Sequence, residues 1–523
     1  MSRTRAGRRR APLSLVLPAL VTVALLLLPL AYLVLRSAGS SSGWRLLWRR
    51  NTLELVWSTG ALVAGVTVAS VAIGVSLAWL TTRTDLPGRR AWAVAAALPL
   101  VVPSYVAAFC LLGAFGPRGL LQQLLGVERL PEIYGYWGAL LALTLSTYPY
   151  VLLLTSAALR GLDPSLEEAA RGLGRSGLDV FRRVTLPALR PSIGAGALLV
   201  ALYALSDFGV VSLMRYDALT RAIYLQYRSL FDRTPAAVLA LVLIGLTALV
   251  LLVEGRSRRR TSRSSPGIAR QPRLHRLGRW KVAALVYCST VVGAFLVVPA
   301  VVLVYWLGRG LDRAEIPAHE ALNSVSASAL AAAAAAIAAL PVALLVHRWP
   351  SRGTRVLERL SFAGNALPGI VIALSLVFFA ANYASPIYQT LALLVFAYVV
   401  RFLPQALAGV ESSLAGVSPR VEEAARSLGR SPLRASLTVT VPLVRSGIFA
   451  GAALVFLSAM KELPATLLLR PIGFETLATE IWKFTSVGAY SRAAPPALLL
   501  IAVSAPFVYL LSSRHTPEAT EHG

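Results

Sequence analysis

Apolar runs long enough to cross the roughly 30 Å hydrocarbon core of a bilayer, which takes about 20 helical residues, recur twelve times along the 523 residues. They fall at 12–35, 54–80, 91–115, 134–159, 192–214 and 235–253, then at 281–307, 321–346, 360–380, 387–410, 446–469 and 494–512. A bilayer core offers no water to unpaired amides, so each run is expected to close its backbone hydrogen bonds internally as a helix. The expected fold is an all-α polytopic membrane protein of about twelve transmembrane helices. Pro103, Pro149, Pro368 and Pro404 lie inside these runs and are expected to kink them. The alanine-rich stretch around Ala331 to Ala336 is only weakly hydrophobic, but Leu340, Val342 and Leu344 support it as a span.

Composition agrees, with 56% hydrophobic and 14% charged residues. The formal net charge of +27 does not point to nucleic acid, because the arginines are scattered between apolar runs and not gathered on a basic face. With the N-terminus in the cytoplasm, about two-thirds of the Lys and Arg residues fall on cytoplasmic segments, which orients the chain with both termini inside. The segment Arg45 to Arg50 opposes that rule and is expected to be a surface helix. Arg8, Arg9 and Arg10 precede the first apolar run, but the run is too long for a signal h-region, so it reads as a retained membrane helix. Cys110 and Cys288 both sit in apolar stretches and give no disulfide framework.

An internal repeat divides the chain. PSLEEAARGLGRSGLDVFRRVTLPALRPSI at 164–193 recurs as PRVEEAARSLGRSPLRASLTVTVPLVRSGI at 419–448, with 16 of 30 positions identical without a gap. The identities include Glu167, Glu168, Arg171, Arg175 and Arg190, which apolar composition cannot produce by chance. The same offset of 255 aligns Pro149 with Pro404 and Asp207 with Glu462. The first repeat is expected over 1–253 and the second over 281–523, joined by a basic cytoplasmic linker at 254–280. Six spans in each half give the two copies the same orientation in the membrane.

The repeated loop has the marks of a short helix. Asp163 and Ser418 are N-cap residues followed by proline, and Gly174 and Gly429 end the helix. Leu166, Ala169, Ala170 and Leu173 share one face, as do Val421, Ala424, Ala425 and Leu428. Such a helix, over 164–173 or 419–428, is too short to stand alone. Its small apolar stripe, repeated with its polar residues in the cytoplasm, points to two equivalent docking sites.

EEAARGLG and EEAARSLG, each between the fourth and fifth spans of a six-helix half, resemble the EAA loop of permeases in binding-protein-dependent ABC importers (the type I importer fold). The resemblance covers essentially the whole chain as two fused permease domains, with EAA loops at 160–190 and 411–445. It implies that Glu167, Glu168, Ala169 and Gly174, with Glu422, Glu423, Ala424 and Gly429, form helices that seat in two copies of a cytoplasmic ATPase subunit. An external substrate-binding protein would deliver solute to loops near 215–234 and 470–493. MKELPATLLLRPIGFETLATEIW from Met460 and LSDFGVVSLMRYDALTRAIY from Leu205 are similar to fused permeases of ferric-iron importers, with fused thiamine permeases as the next relatives. The chain has three lysines, Lys281, Lys461 and Lys483, and none stands in a phosphate-binding loop. ATP and Mg are therefore expected on the partner ATPase, with no cofactor, metal or catalytic cluster on this chain.

Ionisable groups in a membrane are costly and mark functional candidates. Asp207 and Glu462 occupy equivalent depths in the fifth spans and can attract a cation in the translocation path. The local reading is that Glu462 offsets adjacent Lys461 while Asp207 caps a kink before Gly209. Arg401 aligns with uncharged Ser146, with no assignable partner. A proton-coupled secondary carrier would also have twelve helices in parallel halves, and TTRTDLPGRR from Thr81 has the Asp, Gly and Arg-Arg of such carriers, but HRWPSRGTR in the second half lacks the Asp. Bulky residues in place of both Gly174 and Gly429 should uncouple ATPase docking yet leave the membrane fold intact; normal co-purification of the ATPase with normal transport would refute this.

Overall fold

A computed structural model of the chain describes residues 11–38, 45, 49–117, 119–128, 130–228, 234–258, 274–310 and 316–513. Residues 46–48 of the proposed surface helix at Arg45 to Arg50, and most of the basic linker at 254–280, lie outside these residues. Nine helices among the described residues are long and apolar enough to cross a membrane, or eleven when two bent pairs each count as one span. The last apolar run forms the helix Tyr490–Ser513. The alanine-rich run is one continuous helix, Ala318–Arg348. Its buried Ala331, Ala332, Ala335 and Ala339 let neighbouring backbones approach, which is how helices associate without a hydrophobic driving force.

The prolines divide into two kinds. Pro149 and Pro404 lie inside the continuous helices Tyr136–Gly161 and Leu391–Leu414. Pro103 and Pro368, expected as kinks, instead stand at full breaks, immediately before Ser104–Phe115 and Gly369–Tyr383. The residue before each, Val102 or Leu367, is extended, with ψ of 122° or 120°, because proline excludes the helical conformation from its predecessor. In the second repeat the two arms meet at 97°.

Three π-helical turns, Phe181–Thr185, Gly293–Val297 and Ser436–Thr440, each run directly into a proline two residues on, Pro187, Pro299 or Pro442. Proline has no N–H to give to the carbonyl four residues back and crowds it, so the preceding turn widens.

The chain packs as two compact units that are not contiguous halves of the sequence. One comprises 1–39, 317–479 and 502–523, and the other 40–316 and 480–501. Within the first, Leu13–Ala38 lies on Ala318–Arg348 and Gly369–Tyr383, and the Tyr32 hydroxyl donates to the Phe378 carbonyl at 3.3 Å. Within the second, the helical run from Lys281 to Gly308 packs against first-repeat helices: Trp306 Nε1 donates to the Gly113 carbonyl at 3.0 Å, and the Tyr287 and Ser76 hydroxyls pair at 2.6 Å. The first helix of each repeat thus packs in the unit built mainly from the other repeat.

The centre of each unit is the same three-helix arrangement. Arg50–Arg83, Tyr136–Gly161 and Leu186–Ser206 meet in one, and Ala318–Arg348, Leu391–Leu414 and Arg445–Met460 in the other. Glycines set the spacing. A Cβ on Gly196 would lie 2.9 Å from the Val151 Cα, and one on Gly409 would lie 2.7 Å from the Gly447 carbonyl and the Gly451 Cα.

Candidate coupling loops and intramembrane carboxylates

Both repeated loops form the expected helix, Pro164–Gly172 and Pro419–Ser427. Asp163 caps the first by accepting from the Ser165 amide at 2.9 Å, and Ser418 caps the second by accepting from Arg420 at 3.4 Å. Gly174 and Gly429 close the helices with φ of 78° and 87° and open space around them. That left-handed conformation is what a glycine supplies without strain. Leu173 and Leu428 are 83% and 84% exposed, and Ala169 and Ala424 are exposed beside them. Each helix therefore carries an apolar tip exposed to solvent beside charged residues.

The two glutamates of each loop are adjacent in sequence and part in the structure. Glu168 and Glu423 are exposed, whereas Glu167 and Glu422 turn inward, 6% and 4% exposed. The inward pair face neither solvent nor a partner; each is held by side chains of its own unit. Glu167 accepts from the Thr185 hydroxyl through Oε1 at 2.9 Å and places Oε2 3.8 Å from Arg83 Nη1. Glu422 accepts from Thr440 at 2.9 Å and from Ser436 at 3.3 Å, with Arg348 Nε at 3.1 Å. Arg83 and Arg348 end the second helix of each repeat, and sequence inspection missed both. The signal was present: they align at an offset of 265, matching Pro103 with Pro368.

The first loop has a further neighbour. The end of the linker pairs with the loop after Arg83, where the His275 amide donates to the Arg83 carbonyl at 2.8 Å and the Asp85 amide to the His275 carbonyl at 3.1 Å. Asp85 accepts from the Leu277 amide and pairs with Lys281 Nζ, both at 2.8 Å. The Lys281 hydrogen bond, chiefly, holds its carboxyl below the usual range. The His275 ring lies against Trp79, with Arg171 Nη2 2.9 Å from its nitrogens.

Asp207 and Glu462 do not lie inside a continuous fifth helix, as expected, but at a break in it. The helices end at Ser206 and Met460, and short helices Gly209–Leu213 and Pro464–Leu469 follow. Each carboxylate is buried and helps start the second piece. Asp207 accepts from the Val210 amide at 2.8 Å and from the Ser104 hydroxyl at 2.5 Å. Glu462 accepts from the Ala465 amide at 3.2 Å. The carbonyls exposed by the breaks are also satisfied, that of Asp207 by Thr220 and that of Glu462 by Thr466.

Arg401 finds its partner here, with Nη1 at 3.1 Å from Glu462 Oε1. Gly369 makes the pair sterically feasible, because a Cβ there would lie 1.5 Å from Arg401 Nη1. The first repeat has Ser104 and Ser146 at these positions. One repeat therefore holds its carboxylate with a hydroxyl, and the other with a guanidinium that occupies the space of the missing side chain.

Two copies of a helical permease repeat, each with a short capped loop helix and a broken fifth span, define a membrane transport component. The family of binding-protein-dependent transport system inner membrane components matches residues 70–263 and 321–514, and this chain belongs to it. Members are permease components of ABC importers and not enzymes; an ABC ATPase and a substrate-binding protein are their partners, and the chain is a multi-pass inner membrane protein. It is 34% identical to the Fe(3+)-transport system permease protein FbpB 2 of Haemophilus influenzae over 96% of this chain and 98% of that protein. It is 24% identical to the ferric transport system permease protein FbpB of Actinobacillus pleuropneumoniae, over 88% and 71% of the two chains. Similarity to the sulfate transport system permease protein CysT of Salmonella typhimurium is 30% over 43% of this chain and 84% of that one.

Two outcomes follow from these contacts. Arg401→Ser leaves the buried Glu462 without its cation and should destabilise the purified protein by about 3 kcal/mol. Adding Gly369→Ser restores a hydroxyl donor and should recover part of the loss in thermal unfolding; equal stability of single and double variants would refute the exchange. Burial, then the Arg171 guanidinium, holds the His275 pKa below its ordinary 6.5. The docked linker therefore binds fewer protons than the released one, so docking is complete above about pH 6.5 and weakens as pH falls through the depressed value. Hydrogen exchange at the Asp85 and His275 amides, corrected for intrinsic rates, should lose protection as pH falls below 6.5, and His275→Gln should abolish that pH dependence.

Proposed function

We propose that this chain is a fused two-repeat permease of an ATP-driven importer of ferric iron, delivered by an external binding protein. The observation that carries the reading is the similarity to the Haemophilus influenzae Fe(3+)-transport permease along nearly the whole length of both chains. The residues 1–253 and 281–523 act as two permease repeats, with 254–280 as a cytoplasmic linker and both termini in the cytoplasm. Two ATPase subunits, which carry the ATP and Mg, dock on the two loops. The docking face is formed by Glu168, Ala169, Leu173 and Gly174 in one, and by Glu423, Ala424, Leu428 and Gly429 in the other. ATP-driven closure moves both helices and reorients the repeats to alternate access across the membrane.

Asp207 and Glu462 belong to the translocation path in this reading. Their support is position: buried carboxylates at breaks in membrane helices, where transporters commonly build solute and ion sites. No group of three or more metal-ligating side chains occurs among the described residues. Tight selection of iron accordingly rests with the binding protein, and the permease offers a weak, transient path.

Uptake of radiolabelled ferric iron, compared in cells lacking this chain and in cells with it restored, tests the substrate. Iron accumulation should depend on the chain, and Asp207→Asn with Glu462→Gln should lower its rate about tenfold, equivalent to about 1.4 kcal/mol, while the protein still assembles. Loss of thiamine uptake alone would retain the importer and reject iron as its cargo.

A further inference from the structure

Glu167 and Glu422 carry an arrangement that docking does not use. The docking helices have only nine residues each, too few to persist on their own. Their leucine tips, Leu173 and Leu428, face solvent. What ties each helix to the membrane domain is a buried glutamate whose carboxylate meets two other elements at once. One is the end of the second helix of the repeat, through Arg83 or Arg348. The other is the π-helical turn at the base of the fifth span, through Thr185 or Thr440.

The triad is built twice although its surroundings differ. In the first repeat Arg83 Nη2 also donates to the Leu159 carbonyl at 2.8 Å, which brings in the end of Tyr136–Gly161. In the second, Ser436 replaces Phe181 and adds a hydroxyl to Glu422. The glutamate, arginine and threonine are the common part. The arginine contacts are also loose. Arg83 stands 3.8 Å from Glu167, and Arg348 is at ion-pair distance from Glu422, yet none of its buried nitrogens has an aligned hydrogen-bond acceptor on the protein. A hydrogen bond fails when its angle changes, whereas attraction between charges in a low-dielectric site survives a small rotation. Such a contact behaves as a pivot.

We propose that Arg83–Glu167–Thr185 and Arg348–Glu422–Thr440 are the joints that convert displacement of each docking helix into movement of the second and fifth membrane helices. The proposal rests on the docking helices being the ATPase contacts. It separates the paired glutamates by role: Glu168 and Glu423 face the ATPase, and Glu167 and Glu422 are positioning residues that act inside the permease.

The test is the number of iron ions accumulated per ATP hydrolysed, in proteoliposomes holding the permease with its ATPase and supplied with radiolabelled ferric iron on the binding protein. Glu167→Gln with Glu422→Gln should leave the ATPase bound and lower this ratio about tenfold, within the range of coupling between sites. Should that variant fail to fold, Thr185→Val with Thr440→Val removes only the neutral arm of each joint and should lower the ratio by a smaller factor. Within the second repeat, exchanging the pair as Arg348→Glu with Glu422→Arg should recover more coupling than either single change. An unchanged ratio, or loss of ATPase binding in proportion to transport, would overturn the joint. Wild-type vesicles with no ATP-dependent accumulation would instead overturn the importer reading, and the joint with it.

Discussion

No backbone amide or carbonyl can be left without a partner in the hydrocarbon core, and the breaks in the two fifth spans are arranged around that constraint. Where the fifth span of each repeat breaks, Asp207 and Glu462 cap the helix that follows, and Thr220 and Thr466 take up the released carbonyls. Ahead of Pro187, Pro299 and Pro442, each of which removes an N–H from its helix, a π turn widens the preceding turn. The broken segments are therefore specific structures with their own satisfied ends, and not points of local unfolding. Their polar caps also place buried carboxylates, Asp207 and Glu462, within the fifth spans.

The two repeats show how one geometry tolerates different chemistry. Ser104 donates to Asp207 in the first, while in the second a glycine at the corresponding site makes room for Arg401 to reach Glu462. The carboxylate and its capping role are kept, but its charge is balanced differently. Such asymmetry suits a fused chain, whose two halves can diverge without a second gene having to match. The linker adds to it, since His275 and Asp85 brace only the first docking loop by contacts among the described residues.

Much of this was legible in the chain before any coordinates. The apolar runs located the helices, and the polar identities between 164–193 and 419–448 located the repeated loops with their caps and closing glycines. Periodicity at 3.6 residues and N-cap chemistry are local properties, so they survive in a single sequence. Prolines were less transparent. Pro149 and Pro103 look alike in sequence, yet one sits within a helix and the other begins one, because neighbouring helices decide whether freed carbonyls find other partners. The roles of Glu167 and Glu168 were equally hidden, since one residue of rotation on a helix, about 100°, separates a buried side chain from an exposed one.

The sequence by itself determined the membrane class, the duplication, the two short repeated helices and the family, because hydrophobic length and repeated polar spacing are written along the chain. Only the tertiary structure decided which charges meet. Arg83 lies 84 residues from Glu167, Arg348 lies 74 from Glu422 and Arg401 lies 61 from Glu462. Pairing across such separations is settled by how helices pack, and that depends on close approaches such as those at Gly196, Gly369 and Gly409. It also decided that the first helix of each repeat joins the unit built mainly from the other. A uniformly apolar helix carries no local mark of its neighbour, since lipid and protein surfaces are equally acceptable to its side chains.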